Sequence, residues 1–85
     1  MSIQISLAEA RRMVLTNMRE RQLAISKAGR QVKTFWGNWK GNPVYLTIGQ
    51  AIAEVENGTD LGDFILTVEL NGIAQQTGQQ YVLGG

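Results

Sequence analysis

The 85-residue chain contains no cysteine, no histidine, one proline and ten glycines, and 44% of its residues are apolar. That suffices for one modest core, while a disulfide scaffold, a thiolate zinc site, a cysteine nucleophile and the commonest general base are all excluded. The net charge of +1 conceals a division by position: all eight basic residues lie in 1–40, opposed there only by Glu9 and Glu20, whereas 41–85 carries five acidic residues and no base.

Residues 1–6 alternate, with Ile3 and Ile5 on one side, and predict a short strand. Ser6 has the features of a helix N-cap, with Glu9 in the capping-box position. Leu7, Val14, Met18 and Ile25, flanked by Ala10 and Ala28, define an apolar stripe for a helix over 7–27 that Gly29 stops. On this helix Arg12 and Arg19 share an outer flank, Arg11 and Arg21 border the stripe, and Leu23 points away from it. The runs 31–36 (QVKTFW) and 44–48 (VYLTI) read as two strands of a hairpin, with turn residues Gly37-Asn38 and Gly41-Asn42-Pro43 around Trp39 and Lys40. Thr47 caps a second helix, boxed by Gln50, with Ile48, Ala51, Ile52 and Val55 on its inner face and Asn57-Gly58 at its end.

The run 64–70 (FILTVEL) alternates, placing Phe64, Leu66, Val68 and Leu70 inward and Thr67 and Glu69 outward, and Asn71-Gly72 is a strong hairpin signal with a return strand from Ile73. Residues 74–85, rich in glutamine, are expected as a flexible tail anchored by Tyr81-Val82-Leu83. The element order is (β)αββαββ over a single domain, 1–85. It predicts an α+β fold, one antiparallel sheet with two helices, in the split β-α-β arrangement of ferredoxin-like folds. The absence of a long apolar run and of a signal-like start leads to the expectation of a soluble, cytoplasmic protein without membrane attachment.

Catalysis is not expected. No Gly-rich phosphate loop is present, Ser26 and Lys27 are adjacent and so face different ways on a helix, and no cofactor is implied. Glu54, Glu56, Asp60 and Asp63 lack the spacing of a calcium loop, and Asp60 and Asp63 fit caps and turns instead. The strongest candidate for binding is the aromatic-basic stretch 33–40 together with the first helix. Arg11, Arg12, Arg19, Arg30, Lys33 and Lys40 would meet phosphates, and Trp36 or Trp39 would stack on bases of a nucleic acid. A structural alternative has Trp36 in the core, Trp39 over the hairpin end and the lysines guarding an edge. The competing function is protein interaction or self-assembly of the kind small phage and mobile-element proteins perform. The basic half of one copy would then meet the acidic half of another, or an acidic protein surface, through Leu23, Glu54, Asp60 and Asp63. The terminal Gly84-Gly85 resembles the end of ubiquitin-like sulfur carriers, which however open with a β-hairpin where this chain has at most one strand.

Overall fold

A computed structural model describes residues 2–29 and 31–84; Met1, Arg30 and Gly85 lie outside the described residues, and with them the candidate phosphate contact Arg30 and one of the two terminal glycines. Strand β1 (Ser2–Ile5) leads into helix α1 (Leu7–Lys27), followed by strands β2 (Thr34–Trp39) and β3 (Asn42–Leu46), helices α2 (Ile48–Asn57) and α3 (Asp60–Thr77), and strand β4 (Gln80–Leu83). The protein is a small α+β domain. No described helix is long and apolar enough to cross a membrane.

Local signals set the two helices that the sequence predicts. Ser6 accepts the Glu9 N–H at 3.1 Å and donates its hydroxyl to the Glu9 carboxylate, holding the start of α1. The chain leaves α1 through Ala28 and Gly29, the latter at φ +77°. At α2 the capping box is reciprocal: Thr47 accepts the Gln50 N–H at 3.2 Å, and Gln50 accepts the Thr47 N–H at 3.0 Å. Thr47→Ala leaves the Gln50 N–H without its acceptor and is expected to destabilise the protein by about 1 kcal/mol in urea unfolding. An unchanged midpoint would show that packing alone holds this helix end.

Ala10, Val14, Leu15 and Met18 of α1 pack on Ile48, Ala51, Ile52 and Val55 of α2, and α3 adds Ile65, Leu66 and Leu70 to the same core. Full burial of side chains such as Met18, Ile65 and Leu66 contributes about 1.5–3 kcal/mol each, before the entropy of ordering them is subtracted.

The segment expected as a strand, hairpin turn and return strand is instead the single helix α3. Thr59 caps it by accepting the Gly62 N–H at 2.9 Å, and Asp60 and Asp63 lie in its first turn, where carboxylates suit the positive end of the helix. FILTVEL satisfies the periods of both a strand and a helix. The helical one places Gly62, Ile65, Leu66, Glu69 and Leu70 against the other helices. Asn71-Gly72, a turn signal by itself, lies inside α3. With no strand at 64–70 the expected single antiparallel, ferredoxin-like sheet does not form. Two two-stranded sheets replace it: an antiparallel β2–β3 hairpin and a parallel β1–β4 pair that joins the two ends of the described chain. The segment 74–85 therefore begins as the last turn of α3 and continues into β4.

The hairpin also differs from expectation in extent, its strands running over Thr34–Trp39 and Asn42–Leu46 in place of 31–36 and 44–48. Phe35 pairs with Tyr45 and Gly37 with Val44, so Trp36 occupies a bulge and the strand continues to Trp39. The turn is Lys40-Gly41, at φ +51° and +80°, the pair of positive values that a two-residue type I′ connection requires. Gly37 is required twice over: its φ is +125°, and a Cβ there would sit 3.0 Å from Cζ of Phe64.

Candidate functional site

The bulge at Trp36 sorts the hairpin side chains between two environments. Trp36 turns toward the body of the protein, and its indole N–H donates to the Leu46 carbonyl at 3.1 Å. Phe35 and Tyr45, directly opposite each other, project outward with 55% and 54% of their surfaces exposed. Their rings lie 5.4 Å apart at 50°, a tilted arrangement of the kind aromatic pairs favour. Beside them a cleft of about 490 Å³ opens between the C-terminal half of α1, the hairpin and α3, walled by Ile25, Val32, Phe35, Trp36, Ile48 and Val68.

One ion pair crosses the floor of this cleft. Glu69, at 6% exposure, is the one buried charged residue among those described, and it accepts a charge-assisted hydrogen bond from Arg21. The Arg21 guanidinium also lies over the Trp36 ring, 5.7 Å from its centroid. On a strand Glu69 would have faced water. On α3 it falls on the buried face, and Arg21 is the cation that makes this tolerable.

The structure divides the candidate phosphate contacts between two faces. Arg12 and Arg21 are nine residues apart, roughly 180° around α1, and Arg21 is the one that reaches the hairpin. Arg12 and Arg19 therefore lie on the far side, where they line a shallower depression of about 390 Å³ with Arg11, Leu15 and Thr16. Arg19 is paired there with Glu56 at 2.6 Å. Arg11 extends to the end of α2, where its guanidinium comes within 3.7 Å of a Cβ built on Gly58 and its Nε is buried without a hydrogen-bond partner. Since α2 has no basic residue in its own last turn, Arg11 supplies the positive charge that its C-terminus favours.

Lys33 is exposed just before β2, and Lys40 places its ammonium 4.6 Å over the half-buried Trp39 ring at the hairpin tip. Leu23 is 61% exposed on α1. Glu54 is half-buried and accepts the Thr59 hydroxyl at 2.7 Å, while Asp60 and Asp63 are exposed on the first turn of α3. No three carboxylates among the described residues converge as ligands for a metal ion. Both salt bridges among the described residues, Arg19–Glu56 and Arg21–Glu69, run from the basic half to the acidic half of the same chain, so part of the charge division is neutralised internally.

Tyr45, Val32, Arg21 and Glu69 were not singled out by sequence reasoning as parts of a site. Tyr45 was within reach of it, because the inward alternation of Val44 and Leu46 already sends Tyr45 outward. Glu69 was not, because its placement depends on α3 being a helix. The fold and its most distinctive surface thus define an α+β domain with an outward aromatic pair beside a half-open apolar cleft. No family model, curated protein or solved structure matches the chain.

Proposed function

We propose that the protein is a non-enzymatic binding module that engages single-stranded nucleic acid through the outer face of the β2–β3 hairpin. The observation that supports this reading is the Phe35–Tyr45 pair, more than half exposed, on a stretch without a single carboxylate. From Arg21 to Ala53 the sequence contains five bases and no acid, and Lys33 and Lys40 flank the aromatic pair at the base and the tip of the hairpin. Exposed rings offer a π-face to any base, and lysines a few residues away meet the phosphates between stacked bases. Relative to the sequence expectation, the stacking role moves from Trp36 and Trp39 to Phe35 and Tyr45. Trp36 backs the site, with Arg21 over its ring and its N–H bonded to Leu46. The Arg12–Arg19 flank lies on the opposite side of α1 and is an accessory to this face at most.

The test is fluorescence anisotropy with a labelled mixed-sequence oligonucleotide of about 12 nucleotides, titrated at about 50 and about 200 mM salt. Binding is expected to weaken steeply with salt, and Phe35→Ala with Tyr45→Ala is expected to reduce affinity by about 10- to 100-fold at the lower salt. Both side chains are exposed, so the fold should be unaffected, as a thermal melt checks. Absence of binding at low salt, or equal affinity of the double variant, overturns the reading. Binding of an acidic peptide in place of the oligonucleotide would assign the same face to a protein partner.

A further inference from the structure

Among the described residues the β1–β4 sheet has no further strand at either edge. It consists of two parallel strands of four residues each, with Ile3, Ile5 and Tyr81 half-buried and Val82 and Leu83 exposed, and so small a sheet ordinarily needs further strands or a covering element. Helix α3 packs on β4, but β1 pairs with β4 alone among the described residues.

Backbone directions show which groups of β1 are free. Gly84 donates its N–H to the Ile5 carbonyl at 2.9 Å, in the register that pairs Ile3 with Tyr81 and Ile5 with Leu83. The N–H and C=O of one strand residue point to the same edge, and successive residues alternate. Ile3 and Ile5 therefore direct their backbone groups at β4, while Ser2 and Gln4 direct theirs outward. That open edge has none of the usual guards: no charge, no proline and no bulge. The hairpin, by contrast, has Lys40, Pro43 and the Trp36 bulge.

The sequence of this edge, Ser2-Ile3-Gln4-Ile5-Ser6, reads the same in both directions about Gln4. We propose that β1 is a dimerisation strand: two copies of the chain pair β1 to β1 in antiparallel sense about a two-fold axis through Gln4, forming a four-stranded β4–β1–β1–β4 sheet. In this register Gln4 lies opposite Gln4 of the second copy and exchanges both backbone hydrogen bonds with it. Those are the groups the edge leaves free. Ile3 lies opposite Ile5 as a non-hydrogen-bonded pair, whose close side chains suit an apolar contact. Ser2 lies opposite Ser6, whose carbonyl already accepts the Ala10 N–H at 2.9 Å, so the ladder ends where α1 begins. A slip of one residue would place isoleucine against glutamine and demand backbone groups already bonded to β4. A palindromic, uncharged strand is self-complementary, which is what an isologous interface requires and a foreign strand does not.

Five facing residues per copy make a small interface, so association is weak and concentration-dependent. Light scattering coupled to size-exclusion chromatography, with loading raised to roughly 0.5 mM, should show the average mass rising toward twice that of the chain. Gln4→Pro removes the N–H donor at the two-fold but leaves the Ile3 and Ile5 bonds to β4, and should hold the protein monomeric with an unchanged circular dichroism spectrum. Gln4→Lys opposes two ammonium groups across the axis and should also be monomeric at low salt, regaining association as salt screens the pair. Either variant alone decides the matter if the other fails to fold. A wild-type protein that stays monomeric throughout, or a dimer that survives both substitutions, overturns the proposal. Because the hairpin is not part of this edge, Phe35→Ala with Tyr45→Ala should dimerise as the wild type does, whatever becomes of nucleic-acid binding.

Discussion

Gly62→Ala is expected to destabilise the protein by about 3 kcal/mol or more, a large fraction of the roughly 4–13 kcal/mol that a domain of this size possesses. Gly62 is buried at the first turn of α3, where only Gly58 and Thr59 separate that helix from α2. A Cβ at this position would collide with the backbone carbonyl of Glu54 and lie 3.0 Å from the Val55 nitrogen. These obstacles are main-chain atoms of a packed helix and cannot rotate aside, so α2 and α3 would have to separate and open the core formed by Val55, Ile65 and Leu66. A thermal melt should show the midpoint lowered by roughly 15 °C or more. The matched control lies in the same helix: Gly72 has no atom within 4 Å of its Cβ position, and Gly72→Ala should be neutral or stabilising by up to about 1 kcal/mol. Equal melting temperatures for the two variants would mean that the α2–α3 elbow is not held as closely as described.

Arg21→Ala carries the second large effect. It leaves the Glu69 carboxylate, with 8% of its side chain exposed, in an apolar cleft without its cation. Breaking a buried pair from one side costs about 3–5 kcal/mol. Because Arg21 itself is half exposed, water will replace part of what is lost, and about 2–3 kcal/mol is expected. Replacing both partners, Arg21→Met with Glu69→Leu, removes the stranded charge as well and should recover most of that loss. A double-mutant cycle by urea unfolding separates this coupling from the loss of the arginine stem over Trp36. If Arg21→Ala lies within about 0.5 kcal/mol of the wild type, Glu69 is hydrated and the pair is an ordinary surface contact.

How far the sequence was legible varies with the range of the signal. α1 and α2 were readable to within a residue or two because Ser6, Thr47 and Gln50 act on backbone groups three positions away, and Ile48, Ala51, Ile52 and Val55 repeat every three or four. The hairpin was readable as a hairpin, but the bulge at Trp36 was not: it arises where Gly37 admits the ring of Phe64, 27 residues along the chain. α3 was hidden because 64–70 alternates and also spirals. The choice falls to contacts that no local window contains, above all Gly62 against Glu54 and Ile65 in the shared core. Of the candidate site, the hairpin and its positive charge could be read directly. The separation of Arg12 and Arg19 from that hairpin could not, because it depends on which side of α1 the hairpin packs.

The sequence by itself determined the α+β class, the caps and inner faces of two helices, and the division of charge along the chain, since these depend on composition or on neighbours within one helical turn. Only the tertiary structure decided that 60–77 is a helix, that the two ends meet as β1 and β4, that Glu69 lies buried beside Arg21, and that Phe35 and Tyr45 form the outward aromatic pair. Each of those outcomes is set by what a distant element covers. A segment whose residues satisfy two periods has no local reason to prefer either until the rest of the chain packs against it.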